Sequence, residues 1–146
     1  MNWKYNGITW EPPKDFSPKD YYGFVYEITN RATNKKYIGK KFFWSKRTLP
    51  PLKGKKRKRR SIVESDWRDY YGSSANLMED INQCGKEMFY REILYLGKGK
   101  GDLAYMEAKL QFDNDVLLSD QYYNGIIQVR IGGNSVKVLK EGFTNK

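Results

Sequence analysis

Residues 23–29 put Phe24, Tyr26 and Ile28 on one side and Val25 on the other, the alternation of a β-strand. The segment Asn30-Arg31-Ala32-Thr33-Asn34-Lys35 is rich in turn-forming residues, and residues 36–43 read as the return strand of a hairpin. A third strand runs from Met88 to Leu96. Near the C-terminus Ile127, Val129 and Ile131 alternate, Gly132-Gly133-Asn134 turns, and Val136 and Val138 alternate back. That pattern predicts a C-terminal β-hairpin. Helical spacing appears twice. Leu77, Met78, Ile81 and Cys84 form a stripe behind a Ser73-Ser74 cap and ahead of Gly85, which predicts a helix over 75–84 with Cys84 as a small core residue. Leu103, Met106, Leu110 and Leu117 predict a longer helix, capped by Asp102 and reaching about residue 118. The expected fold class is α+β: a small, mainly antiparallel three-stranded sheet flanked by helices, with the C-terminal hairpin appended.

A chain of 146 residues suits one compact domain with tails. Residues 1–20 carry Trp3, Trp10 and the prolines Pro12, Pro13 and Pro18, and read as an irregular arm packed through its tryptophans. The central domain spans 21–125, with a basic insertion at 48–62, and 126–146 form an extension. Within the insertion Pro50-Pro51 interrupts regular structure. Lys53, Lys55, Lys56, Arg57, Lys58, Arg59 and Arg60 then place seven cations in eight positions. Such a block repels itself and is expected to be mobile until a polyanion binds. It reads as a phosphate clamp or, more plainly, as a solvated loop.

Charge narrows the partners. Twenty-seven Lys and Arg against 17 Asp and Glu give a net charge of +10, which favours DNA, RNA or an anionic surface. No apolar run approaches the roughly 18 residues that a membrane span needs. The N-terminus lacks a signal-peptide core, so a cytoplasmic location is expected. One cysteine excludes an internal disulfide. With no histidine, zinc is disfavoured, and a metal here would be a hard ion on a carboxylate. Proton chemistry must run through tyrosine, a carboxylate or lysine. The abundant aromatics (twelve Tyr, seven Phe, four Trp) serve either as core or as platforms for bases.

Phe24-Val25-Tyr26 and Tyr37-Ile38-Gly39 stand eleven residues apart, tyrosine to tyrosine, in the first hairpin. Arg47 follows ten residues after Tyr37, Glu107 lies on the second predicted helix, and Asn124 precedes Gly125. In this order the five positions resemble the GIY-YIG nuclease family over roughly residues 22–125. Phe24-Val25 replaces the Gly-Ile of that pattern and keeps its strand character. The long basic insertion leaves Arg57, Arg59, Arg60 and Arg68 as alternatives to Arg47. The stretch Asp66-Trp67-Arg68-Asp69-Tyr70-Tyr71-Gly72-Ser73-Ser74 resembles phage-type members, which would place the protein in the cytoplasm of a bacterial host.

The resemblance implies an endonuclease that hydrolyses DNA with Mg²⁺ (or Mn²⁺), acting on duplex DNA and not at a membrane. Glu107 would hold the metal. Tyr26 would be the general base or orient the water; its ordinary pKa of about 10 calls for nearby cations or the metal to lower it. Strand alternation selects Lys41 rather than Lys40 for that role, because Lys41 shares Tyr37's face. Tyr37 and Arg47 would hydrogen-bond the scissile phosphate, and Asn124 would hold the geometry through its amide. Each residue also has a plainer reading: a packing tyrosine, a solvated helix glutamate, a turn asparagine. The rival functions are a non-catalytic nucleic-acid-binding module on the same fold and an RNA-binding protein that stacks bases on tyrosines.

Overall fold

A computed structural model of the chain describes residues 2–142. Its strands are β1 (Lys4–Tyr5), β2 (Ile8–Thr9), β3 (Gly23–Asn30), β4 (Lys35–Phe42), β5 (Trp44–Leu49), β6 (Arg59–Glu64) and β7 (Phe89–Gly97). The helices are α1 (Ala75–Cys84), α2 (Lys100–Asp113) and α3 (Lys137–Glu141). Five strands form one mixed sheet in the order β2-β1-β7-β3-β4, and β5 and β6 form a separate two-stranded ribbon.

The expected three-stranded sheet is corrected by this topology. Its three strands are present as β3, β4 and β7, but β1 joins the edge of β7 in parallel, pairing Lys4 with Glu92 and Tyr5 with Ile93. The N-terminal arm is therefore part of the sheet. Strands of two residues are too short to show a period. The signal that marks them is Asn6-Gly7, which turns with both φ angles positive, 52° and 79°. Trp3 anchors the arm: it is buried and its indole donates to the Trp67 carbonyl at 2.8 Å.

The C-terminal hairpin is also corrected. Residues 124–132 form no strand, a short 3₁₀ turn spans Gly133–Val136, and α3 follows. Of the alternating residues Val129 is exposed and Ile131 half-buried, while Ile127 packs without strand pairing beside Val25, Ile38 and Leu103. Residues 143–146 of the predicted extension lie outside the described residues.

Both faces of β3 are buried, since it lies between β7 and β4. Phe24, Tyr26 and Ile28 face one core with Trp3, Phe43, Trp67, Leu77 and Ile81. Val25 and Ile38 face the other, under Leu103 of α2. A register shift between Val25 and Tyr26 in the β3–β7 pairing turns Tyr95 onto the α2 side, where its hydroxyl donates to Asp102 at 2.7 Å. Asp102 caps α2 from inside its first turn, accepting from the backbone amides of Lys98 and Gly99 at 2.9 and 2.8 Å. The helix ends at Asp113 and not near residue 118; Asn114 caps it, Asp115 turns at φ 50°, and Leu117 is exposed. In α1 the Ser74 cap holds, accepting from the Leu77 amide, but the stripe is Leu77 and Ile81 alone, and Cys84 is exposed.

The basic insertion has regular structure at its root. Trp44–Leu49 and Arg59–Glu64 pair through six registered positions, and Pro50-Pro51 opens the ribbon's tip. Phe43 in the core, the Trp44 indole donating to the Tyr21 carbonyl at 2.8 Å, and Ser65 donating through Oγ to the Phe42 carbonyl at 2.6 Å fix the ribbon to the body.

Candidate active site at the edge of the sheet

β4 is an edge strand, and an edge strand exposes backbone groups that need partners. Here the outward groups of Lys36 and Ile38 all find one nearby. The Lys36 amide donates to the Gln121 carbonyl at 2.8 Å, and the Lys36 carbonyl accepts from the Tyr123 amide at 2.7 Å. Two residues on, Ile38 meets the side chain of Asn124, which behaves as a short piece of strand. Its Oδ1 accepts from the Ile38 amide at 3.1 Å and its Nδ2 donates to the Ile38 carbonyl at 2.8 Å. Gln111 of α2 adds a second donor to that carbonyl at 2.9 Å. Two residues further, the Lys40 ammonium pairs with the Glu107 carboxylate, Nζ lying 3.5 Å from Oε1, and Lys40 favours the charged form of that carboxylate.

A cavity of about 540 Å³ opens along this capped edge. Tyr37, Lys40, Glu107 and Asn124 line it, together with Ser73 and the first residues of α1. The Tyr37 hydroxyl lies 3.1 Å from the Ser73 Oγ. The N-terminus of α1 brings its unpaired amides and positive dipole end to the same opening, a setting that favours an anion.

Tyr26 stands behind Tyr37 and is buried, with the two ring centroids 6.2 Å apart. Its position explains Gly39. Tyr26 and Gly39 are directly opposed in register, and the Tyr26 ring lies across the glycine. A Cβ at Gly39 would sit 2.6 Å from the Tyr26 hydroxyl and 2.9 Å from the Tyr37 ring. Only a residue without a side chain lets both rings reach the strand edge.

Burial raises the Tyr26 phenol well above its ordinary value, and the neighbouring Tyr70, Tyr37 and Glu107 add to the shift. Tyr37 is raised for the same first reason, with the Ser73 hydrogen bond opposing. At Tyr26 no neighbouring cation lowers it, contrary to the role expected of Lys41. Glu107 is also raised, by burial, with Lys40 pulling the other way. Its side chain is 16% exposed, so the carboxylate is only partly hydrated.

The sequence-predicted residues divide. Tyr37, Glu107 and Asn124 meet at the cavity, with Tyr26 directly behind. Lys41 turns away: its ammonium pairs with Asp66 at 2.7 Å and lies 4.1 Å over the Tyr70 ring. Lys40 is the lysine at the cavity, although alternation sets it on the opposite face from Tyr37. Both faces open into one cavity because β4 is the edge. Arg47 is exposed on β5 and does not line the cavity. Arg57, Arg59 and Arg60 lie on the ribbon, and Arg68 pairs with Glu11 at 2.8 Å. Gln111 escaped sequence reasoning, yet its signal was present: it stands four residues after Glu107, on the same helix face.

Among the described residues no group of three or more Asp, Glu or Cys side chains could hold a metal ion. Nor is any described helix long and apolar enough to cross a membrane. The family model described as "Putative endonuclease segE, GIY-YIG domain" matches residues 3–127. The match bears out the resemblance carried by the two tyrosine motifs and reaches back over β1 and β2. No curated protein and no solved structure matches the chain.

Proposed function

The chain belongs to the GIY-YIG nuclease family, and from that premise we propose that it is an endonuclease hydrolysing phosphodiester bonds of duplex DNA at the β4-edge cavity. The observation that carries this reading is the convergence of Glu107, Lys40, Tyr37 and the α1 N-terminus on one opening of about 540 Å³. A half-buried carboxylate beside a cation and hydroxyl donors can accommodate a phosphate and the charge that develops on it.

The donor set fits Mg²⁺ or Mn²⁺ in a limited way. Glu107 is a single hard carboxylate, and Mg²⁺ commonly binds through one or two carboxylates with water and substrate phosphate completing its shell. Bound there, the ion would supply Lewis-acid stabilisation of phosphate oxygens and of the leaving oxygen. Glu107 would hold it, and Lys40, released from the carboxylate, would turn to a non-bridging phosphate oxygen. Tyr37 donates its hydroxyl to the same phosphate. With its phenol raised, Tyr26 orients the attacking water through its neighbour and does not act as a resting base. Asn124 and Gln111 hold the strand edge, and with it the spacing of Tyr37 and Lys40.

One observation favours a second reading. None of the arginines weighed for the scissile phosphate lines the cavity, as a DNA-binding module without cleavage would allow. Incubation with supercoiled plasmid separates the two readings. Nicking or linearisation with Mg²⁺, stopped by EDTA, is expected of the nuclease; DNA binding with no cleavage under any divalent ion sinks it.

A further inference from the structure

The β5–β6 ribbon projects from the body as two strands paired with each other and with no strand of the main sheet. Nine cations lie between Lys46 and Arg60, and no carboxylate lies between Trp44 and Val63. Among the described residues none of the nine forms an ion pair. An isolated two-stranded ribbon is marginal in water, and this one carries like charge along its length. It is therefore built for a polyanion.

The two faces of the ribbon differ. Registered partners point the same way, so Leu49 and Arg59 share a face with Arg47, Ser61 and Val63. On that face Leu49, Ser61 and Val63 are half-buried, and Arg59 spends its Nε on the Pro50 carbonyl at 3.2 Å. The other face presents Lys46, Thr48, Arg60 and Ile62. All four are exposed, Ile62 by 57%. An exposed β-branched apolar side chain set between Lys46 and Arg60 does not serve solubility.

We propose that this ribbon enters the major groove of duplex DNA, with Thr48, Arg60 and Ile62 toward the base edges and the cations of the tip on the phosphates. The proposal rests on the nuclease reading and adds to it the groove and the reading residues. Width decides between grooves: a two-stranded ribbon with its side chains fits the major groove, about 12 Å wide, and not the minor groove, about 6 Å wide. The chemistry also matches. Arginine pairs with guanine O6 and N7, a hydroxyl serves any base, and an apolar group meets the thymine methyl.

The test uses the intact protein in EDTA and three fluorescent duplexes of one sequence: unmodified, carrying bulky substituents at cytosine C5 in the major groove, and saturated with a minor-groove ligand. Binding at least tenfold weaker to the C5-substituted duplex, and unchanged by the minor-groove ligand, is the expected result. The reverse sensitivity, or equal affinity for all three, overturns the proposal while leaving the nuclease reading intact. No salt-dependent binding to the unmodified duplex takes down both. A second measurement maps cut positions on a long duplex with Mg²⁺. Arg60→Ala with Ile62→Ser should redistribute the positions; an unchanged pattern overturns the assignment of that face.

Discussion

Two hairpins follow one another along this chain and are built to opposite rules. In the first, β3–β4, one strand lies between two others, and Lys36, Ile38 and Lys40 on the other are matched to Gln121, Tyr123, Asn124, Gln111 and Glu107. In the second, β5–β6, the cations face water without ion-pair partners among the described residues. The first hairpin cannot change without orphaning a buried group. The exposed cations of the second can change freely as far as folding is concerned. Precision of geometry and adaptability to a long polyanion are thus assigned to adjacent segments, and substitutions in the two should fail in different ways.

The sharpest contrast comes from Glu107→Gln. Cleavage should fall by at least about 100-fold, as for loss of a principal charge-stabilising or ligating group. DNA affinity, which is proposed to lie with the second hairpin, should stay within about twofold; a parallel loss of binding would show that the two hairpins are not separable. Stability should move the other way. The folded protein holds the Glu107 proton more tightly than the unfolded chain does, because burial raises its pKa. The carboxylate therefore costs stability at neutral pH, and the cost fades as pH falls through the folded value. Glutamine should raise the melting temperature at pH 7 and lose that advantage in acid. In the native enzyme the acid limb of the cleavage rate should lie above the ordinary glutamate value of 4.5.

Packing of the first hairpin is probed next. Gly39→Ala places a methyl 2.6 Å from the Tyr26 hydroxyl, so the buried ring or the strand must shift. A loss of about 1–3 kcal/mol in urea unfolding is expected, together with reduced cleavage as Tyr37 is displaced. Asn124→Ala removes both halves of a strand-like pair. The Ile38 carbonyl keeps Gln111, but the buried amide loses its partner, at a cost of about 1–3 kcal/mol. Unfolding midpoints equal to wild type in both variants would mean that the edge is not held as described.

The sequence made the first hairpin legible because eight-residue strands show their period. Phe24, Tyr26 and Ile28 point to one core without any further information. The second hairpin was hidden by its charge: Arg60, Ile62 and Glu64 alternate too briefly, and Pro50-Pro51 reads as a stop when it opens a ribbon tip. The N-terminal strands were marked only by Asn6-Gly7. At the site, spacing and family order selected Tyr37, Glu107 and Asn124, which line one cavity, but alternation pointed to Lys41 where the cavity is lined by Lys40. Alternation assigns faces; it does not say that a strand is at an edge, where the two faces meet. Knowing which lysine pairs with Glu107 requires knowing that α2 covers Ile38, which is a tertiary fact. That Asn124 acts through its amide was expected from the resemblance; its partner, the Ile38 backbone, was hidden for the same reason, since a turn pair with glycine gives no sign of which strand it will meet.

The smallest effect on folding should come from the ribbon's tip. The side chains of Lys55, Lys56 and Lys58 are exposed and form no ion pair among the described residues. Replacing all three with glutamine should leave stability within about 0.5 kcal/mol per site. Relief of self-repulsion would make any change favourable. Binding should respond in a specific way. Every phosphate that the protein ceases to neutralise lowers the steepness of log K against log salt by about 0.9, so three such phosphates should flatten the slope by about 2.7 while all sequences weaken alike. A flattened slope with an unchanged pattern of cut positions would separate the tip, which supplies charge, from the Arg60 and Ile62 face, which is proposed to read bases. If the slope does not move, the tip lysines touch no phosphate. Whatever salt-dependent affinity remains would then have to come from cations of the body, Lys40 and the α1 terminus first, and the division of labour between the two hairpins would fall.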